Sequence, residues 1–124
     1  MTARQDRARC SQARGVAAEA AAGAALEQDG WTLLARRLRT PAGEIDLLAE
    51  RDGLLAIIEV KERPNLADAA AAILPRQRTR LLNAAEIVLG EHPEWGVAGV
   101  RFDVLVVDAT GRVRRIVDAF RLGD

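Results

Sequence analysis

The chain has 124 residues, of which 49% are hydrophobic and 29% charged, and its formal net charge at pH 7 is zero. This length suits one folded domain with its own core, and the composition lies outside the range of disordered chains. Zero net charge provides no global field to attract nucleic acid, so any anion-binding surface must come from a local grouping of arginines.

The sequence offers little for disulfide, thiolate-metal or membrane chemistry. Its single cysteine, Cys10, has no second sulfur to pair with. No run approaches the roughly 18 apolar residues of a membrane span, and residues 1–14 lack the apolar core of a secretory signal. We therefore expect a cytoplasmic protein without a membrane partner, with residues 1–14 as a mobile basic arm and residues 15–124 as one domain.

The first half of the domain predicts one helix followed by three strands. The alanine-rich run 16–28 favours a helix that ends at Asp29-Gly30, where glycine supplies a C-terminal cap. Three apolar, strand-like runs follow, at 31–39, 44–51 and 54–61. Asp52-Gly53 separates the last two runs, and this dipeptide predicts a hairpin with a two-residue type I′ turn.

The second half predicts one more helix and two more strands. Residues 66–74 are predicted as a short helix or an ordered loop, and Pro75 suits the first turn of a helix that continues to about Leu89. Strands are predicted at 100–108 and 112–118. The order α-β-β-β-α-β-β predicts an α/β domain with a mixed β-sheet flanked by helices.

The predicted hairpin gathers four ionisable side chains on one patch. A type I′ turn sets a register that places Asp46 opposite Glu59, and Glu44 opposite Lys61. Directly opposite Cβ atoms lie roughly 4.5–5.5 Å apart, so two carboxylates there repel each other. Between apolar flanks, either one carboxylate is protonated or a cation lies between them. A divalent metal ion is the simplest resolution.

This patch favours phosphodiester hydrolysis with Mg²⁺ or Mn²⁺. Carboxylate ligands without His or Cys select these ions over zinc. Lys61, the only lysine in the chain, would orient or deprotonate the attacking water or neutralise developing charge, and the sequence leaves these roles open. The alternative interpretation is an ordinary solvated strand face at Glu59 and Lys61, with Asp46 bonded to a neighbouring turn.

Other charged residues extend the prediction toward nucleic acid. Glu19, the only charged residue between Gly15 and Leu26, either contributes a further carboxylate to the metal site or faces solvent. Arginines in the first turns of the second helix oppose the helix dipole by roughly 0.3–1 kcal/mol each, which a bound phosphate would reverse. The predicted nucleic-acid contacts are Arg63, Arg76, Arg78 and Arg80, although the arginines of this helix could equally be solvated.

Three short motifs resemble those of a known family. "GEID" (43–46), "EVK" (59–61) and "RFDV" (101–104) together resemble the YraN family, which is similar in turn to the PD-(D/E)XK nuclease superfamily. The resemblance runs from about Gly15 to Phe120. It implies a restriction-endonuclease-like core, an endonuclease activity, and roles for residues of this chain: Asp46 and Glu59 as metal ligands, Lys61 as the catalytic lysine, Glu19 as an accessory carboxylate and Gln77 as an accessory residue.

The leading hypothesis is therefore a Mg²⁺- or Mn²⁺-dependent endonuclease, with Glu44 as a further accessory residue. The chain has no tyrosine and its few aromatic residues suit the core, which favours backbone contacts to duplex or branched DNA over base stacking. A single small domain that cuts both strands would pair with a second copy. The alternative is a non-catalytic nucleic-acid-binding or partner-binding module that retains the nuclease scaffold.

Overall fold

The protein is described by a computed structural model, which covers the backbone of residues 3–65 and 75–120 and the side chains of 15–65 and 75–117. The elements are α1 (Ala3–Gln28), β1 (Thr32–Thr40), β2 (Gly43–Arg51), β3 (Leu54–Glu62), α2 (Pro75–Glu91), β4 (Gly99–Val107) and β5 (Val113–Phe120). This is the predicted order, and the predicted mixed α/β fold is confirmed. The prediction for 66–74 lies outside the described residues.

The five strands form one mixed sheet in the order β1-β2-β3-β4-β5. Neighbouring strands are antiparallel except β3 and β4, which are parallel. Parallel neighbours need a long crossover connection, and α2 lies in the one that joins β3 to β4. The sheet therefore has the mixed pairing expected of the predicted restriction-endonuclease-like core.

The two helices cover opposite faces of the sheet. The alanine-rich α1 packs Ala18, Ala22 and Leu26 against one face, where small side chains allow a close approach. The other face packs against α2 through an apolar stripe at helical spacing, formed by Leu81, Ala84, Ala85 and Val88. Neither helix, within the part of the chain described, offers an apolar stretch long enough to cross a membrane.

Helix α1 begins earlier than the composition predicts. It ends at Gln28, before Gly30 with a φ of 85°, as the capping argument predicts. Its helical backbone starts at Ala3 instead of near Val16, because residues 3–14 consist largely of good helix formers such as Ala, Arg and Gln. The mobility expected for residues 1–14 stays a prediction.

The β2–β3 hairpin has the predicted turn but keeps the predicted register over only part of its length. Asp52 and Gly53 have φ values of 53° and 79°, as a type I′ turn requires. Strand pairing runs from Arg51–Leu54 to Leu47–Ile58. Beyond this point β2 continues to pair with β1, and β3 with β4, while pairing between β2 and β3 ends.

The predicted direct pairs Asp46–Glu59 and Glu44–Lys61 are therefore wrong as strand pairs. The physical reason is a side chain that replaces a backbone partner: the Val60 N–H donates to Asp46 Oδ2 at 2.8 Å. An N–H held by a carboxylate is not available to the backbone of β2. The two strands separate at the point where the predicted site begins.

Candidate active site

Asp46 lies where the pairing of β2 is irregular on both sides. Toward β1, the pairs Arg36–Leu47 and Leu38–Ile45 are formed, and Arg37 occupies the position between them. Arg37 has a φ of 50°, in the left-handed region that residues other than glycine rarely adopt. The local backbone of β1 thus departs from a regular strand directly beside Asp46.

The environment of Asp46 opposes its negative charge. Burial, together with the charges of Glu59, Glu19 and Glu44, raises the pKa of Asp46 to about 6, although the hydrogen bond from Val60 opposes the rise. A carboxyl group with this pKa is half protonated near pH 6 and ionises at higher pH at a cost that a nearby cation would reduce. The influence of the other three carboxylates on Asp46 also indicates that they lie in its neighbourhood.

The charge of Glu59 is balanced by two basic side chains. Its carboxylate, 6% exposed, lies 3.2 Å from Lys61 Nζ through Oε1. Arg80 Nη2, which comes from α2, lies 3.3 Å from both Oε1 and Oε2. The predicted repulsion between Asp46 and Glu59 is thus relieved by the raised pKa of one carboxyl and by ion pairs to the other, so that relief alone does not require a metal ion.

Arg80 reaches Glu59 by passing closely over Gly43. A Cβ atom built on Gly43 would lie 2.7 Å from both Cγ and Cδ of Arg80, and Gly43 has a φ of 138°. The glycine of the "GEID" motif therefore leaves room for the Arg80 side chain. The sequence predicted Arg80 as a phosphate contact and gave no signal for its contact with Glu59, because that contact depends on how α2 packs on the sheet.

Glu19 is held by a residue that the sequence analysis did not include in the site. Arg37 Nε donates to Glu19 Oε2 at 2.6 Å, which joins α1 to β1. This bond raises the pKa of the Arg37 guanidinium above its ordinary value. A positive φ at an arginine has no signature in the sequence, so the special position of Arg37 could not be predicted.

Glu44 and Arg63 are two more of the predicted site residues, and each makes a polar contact of its own. Glu44 is half-buried and makes a loose ion pair with the exposed Arg39, with 3.9 Å between Oε2 and Nε. At the end of β3, the Arg63 Nη1 group donates to the Glu62 carbonyl at 2.7 Å. Arg63 also lines a cleft of about 460 Å³ with Glu62, Pro64 and Ala109.

The predicted residues in the first turns of α2 differ in how they relate to the Asp46 and Glu59 carboxylates. Arg76 is exposed, and Gln77 and Arg78 are half-buried. Arg80 contacts Glu59 directly. The direct contact identifies Arg80 as the arginine of this helix most closely tied to the carboxylates, while the accessory role of Gln77 stays a prediction.

The donor set agrees with a hard divalent cation. Within the described residues, no three His, Cys, Asp or Glu side chains are grouped so as to hold a metal ion, so a complete protein cage is not present there. Mg²⁺ is commonly held by one or two carboxylates and completes its coordination with water and phosphate oxygens. Asp46 and Glu59 fit that pattern, whereas Glu19 is engaged by Arg37 and its role as a ligand stays a prediction.

A second buried carboxylate lies elsewhere in the sheet. Asp103, in the "RFDV" motif, is 1% exposed. Arg101 donates to its two oxygens at 2.9 and 3.0 Å, and Arg115 Nη2 donates to Oδ2 at 3.2 Å. Three arginine guanidinium groups lie 4.7–5.2 Å from the centre of the Trp31 ring. We call this set the Trp31 cluster: Asp29, Trp31, Arg51, Arg101, Asp103 and Arg115.

Comparison with known proteins places the chain in one family. The model of the uncharacterised protein family UPF0102 matches residues 18–107. A UPF0102 protein of Granulibacter bethesdensis is 66% identical over 110 residues, which cover 89% of this chain and 70% of the relative. A UPF0102 protein of Azorhizobium caulinodans is 47% identical over 94% of this chain and 88% of its own length. One from Rhodopseudomonas palustris is 46% identical over 86% and 82%, respectively. This chain belongs to the UPF0102 family, which is also called the YraN family.

Proposed function

We propose that this protein is a Mg²⁺- or Mn²⁺-dependent endonuclease that hydrolyses phosphodiester bonds in duplex or branched DNA. One observation carries the proposal: Asp46 keeps a carboxyl group with a pKa of about 6 beside the buried Glu59, where β2 and β3 separate. Ionising Asp46 in this arrangement costs stability, and a bound cation would reduce that cost. Perturbed carboxyl groups of this kind are concentrated at functional sites.

The proposal assigns the metal to Asp46 and Glu59. A bound Mg²⁺ or Mn²⁺ would supply Lewis-acid stabilisation of charge on the phosphodiester oxygens. Asp46 already has one oxygen fixed by the Val60 N–H, which orients the carboxylate. Glu59 makes ion pairs with Lys61 and Arg80, which hold its carboxylate beside the separation of the two strands.

Lys61 is the proposed catalytic lysine. Its Nζ lies 3.2 Å from Glu59 Oε1, and its side chain is only 14% exposed, so the ammonium group is held beside the carboxylates. From there it could hold the attacking water by donating hydrogen bonds, or neutralise negative charge that develops on phosphate oxygens. Both roles require the ammonium group at this position, so its removal should abolish cleavage.

The proposed partner is DNA, bound through its phosphates. The neutral net charge means that binding depends on local arginines, and the proposed contacts are Arg63, Arg76, Arg78 and Arg80. Two sites that act together would cut both strands of a duplex in one binding event, so we further propose that two copies act together. Sedimentation of the protein with and without duplex DNA would test this pairing.

A second candidate function is a non-catalytic module that binds nucleic acid or a protein partner. It is favoured by the balance of charge at Glu59, where Lys61 and Arg80 already neutralise the carboxylate. A site of that kind could persist as a structural ion-pair network. Metal binding and cleavage separate the two candidates.

The test combines calorimetric titration with Mn²⁺ and cleavage assays on linear, flapped and four-way-junction DNA and on RNA. We expect Mn²⁺ binding in the wild type and its loss in Asp46→Asn. Cleavage should require Mg²⁺ or Mn²⁺ and be lost in both Asp46→Asn and Lys61→Ala. The matched control is Asp52→Asn in the exposed hairpin turn, where asparagine tolerates the positive φ.

Two results would contradict the endonuclease proposal. One is equal, negligible Mn²⁺ binding by the wild type and Asp46→Asn. The other is cleavage that survives in Lys61→Ala, which would point to another site or to a contaminant. Nucleic-acid binding without either metal binding or cleavage would support the non-catalytic module.

A further inference from the structure

Arg80 makes an ion pair with the Glu59 carboxylate, which is one of the two groups proposed to bind a divalent cation. Its Nη2 lies 3.3 Å from both oxygens of Glu59, whereas Lys61 Nζ makes its ion pair with Oε1. Because the guanidinium contacts both oxygens, a cation that binds Glu59 competes chiefly with Arg80. Positive charges on the same carboxylate also repel each other in a poorly solvated site.

The Arg80 side chain is held in this position at a cost. In the described part of the chain, its buried Nε has no hydrogen-bond partner. Its path over Gly43 is so narrow that a Cβ there would lie 2.7 Å from two of its carbon atoms. The contact with Glu59 offsets these costs.

The same side chain has access to solvent and therefore to a ligand. The Arg80 side chain is 38% exposed, compared with 14% for Lys61 and 7% for Glu59. A guanidinium group offers a planar fork that matches a phosphate group, and an unpaired Nε–H is one of the donors of that fork. An anion at the first turns of a helix would also be favoured by the helix dipole.

We propose that Arg80 is a counter-ion switch that pairs with Glu59 in the metal-free protein and is released to a DNA phosphate when a divalent cation binds. This inference rests on the proposed function and adds a coupling between its two ligands. The cation displaces Arg80 from Glu59, and the displaced guanidinium adds a phosphate contact. Metal binding and DNA binding then strengthen each other, since such coupling is reciprocal.

The first test is calorimetric titration of Mn²⁺ into metal-free wild type and Arg80→Gln. Removing the competing cation should tighten Mn²⁺ binding by about tenfold, which corresponds to about 1.4 kcal/mol. Arg39→Gln is the matched control, because it removes one arginine charge from a side chain that is 91% exposed and pairs with Glu44 instead of Glu59. We expect it to change the affinity less than about twofold, since exposed charges are strongly screened.

If Arg80→Gln unfolds below the titration temperature, the same titration is made with Arg80→Lys instead. It retains the charge but loses the fork, so Mn²⁺ affinity should rise by a smaller factor in the same direction. Mn²⁺ binding that is unchanged or weaker than in the wild type would overturn the switch while leaving the proposed function standing. Absence of Mn²⁺ binding in both the wild type and the Arg80 variants would overturn the switch and the metal-dependent function together.

The second test asks whether Arg80, once released from Glu59, contacts a DNA phosphate. Duplex DNA affinity is followed by fluorescence anisotropy with and without Ca²⁺, used as the divalent probe. Ca²⁺ should strengthen binding to the wild type, and Arg80→Gln should lose most of that gain. An equal gain from Ca²⁺ in both proteins would overturn the release of Arg80 to DNA.

Discussion

Two carboxylates in the same sheet, Asp103 and Asp46, have opposite surroundings. Asp103 accepts charged hydrogen bonds from Arg101 and Arg115 within the Trp31 cluster. Asp46 accepts one backbone hydrogen bond and has other carboxylates as its neighbours, so its pKa rises to about 6. A buried carboxylate with charged hydrogen-bond partners contributes to the stability of the fold, whereas a buried carboxylate among like charges costs stability, and this is the place where we propose that a cation binds.

The difference also has a structural origin. The residue pairs of β3 and β4 are continuous through Ile58–Asp103, whereas the register between β4 and β5 shifts between Phe102 and Val104, on either side of Asp103. Asp46 lies where pairing to β3 has ended and where Arg37 of β1 adopts a positive φ. Asp103 thus has a continuously paired neighbouring strand on the β3 side, whereas the pairing of β2 with β3 ends before Asp46.

The largest expected effect on stability comes from removing an arginine partner of Asp103. Arg101→Met removes the two bonds at 2.9 and 3.0 Å and leaves Asp103 buried with less compensation. We expect a loss of about 3 kcal/mol in the free energy of unfolding, because an uncompensated buried charge is strongly destabilising. Chemical denaturation at pH 7 measures this loss.

The double variant Arg101→Met with Asp103→Leu provides the control for that prediction. Removing both charges should restore a large part of the lost stability, as replacement of buried ion pairs by apolar residues often does. A loss below about 1 kcal/mol in Arg101→Met would contradict a structural role for the Trp31 cluster.

Removing the charge of Asp46, in contrast, should raise the free energy of unfolding of the metal-free protein. Its pKa is 3.8 when unperturbed and about 6 in the folded protein, so the folded state binds the proton more tightly. The stability that this proton provides is complete below pH 4 and is lost as the pH rises through 6. The side chain in Asp46→Asn does not ionise, so this loss does not occur, and its amide oxygen can still accept a hydrogen bond from the Val60 N–H.

We therefore expect Asp46→Asn to be more stable than the metal-free wild type by about 2 to 3 kcal/mol at pH 8, at 1.36 kcal/mol for each pKa unit. The advantage should disappear near pH 4. Urea denaturation of the two proteins across pH 4–8 tests both points. A variant that is less stable than the wild type at pH 8 would show that Asp46 is a structural carboxylate like Asp103.

A smaller effect is expected from the glycine beneath Arg80. Gly43→Ala adds a Cβ that would lie 2.7 Å from the Arg80 stem and places alanine at a φ of 138°. We expect a loss of about 1 to 3 kcal/mol from backbone strain and from the displaced side chain. Thermal melting measures the change.

Gly15→Ala is the matched control for Gly43→Ala. A Cβ at Gly15 in α1 meets nothing within 4 Å, so alanine should stabilise the helix by roughly 0.5–1 kcal/mol. Equal effects of the two substitutions would argue against the close passage of Arg80 over Gly43.

Much of this architecture could be predicted from local sequence signals. Asp52-Gly53 predicted the hairpin and its register as far as Leu47–Ile58, because two residues with positive φ fix the turn. Alanine content and the glycine cap predicted the end of α1. The residues that define the site, Asp46 and Glu59, followed from that register even though their direct pairing did not form.

The missing details depend on contacts between distant elements. The strands part because one side chain, that of Asp46, replaces a backbone partner of Val60, and alternation along a strand cannot reveal such an exchange. The contact of Arg80 with Glu59 depends on the packing of α2 across Gly43. The positive φ of Arg37 contradicts the preference of its residue type, so local propensity predicts the wrong conformation.

The most direct measurement of the central claim is the titration of the Asp46 side-chain carboxyl by carbon-13 NMR, with and without Mg²⁺. We expect a pKa of about 6 in the metal-free protein and a clearly lower pKa when Mg²⁺ is present, because the cation favours the ionised form. An Asp46 that titrates near 3.8 and does not respond to Mg²⁺ would contradict the account.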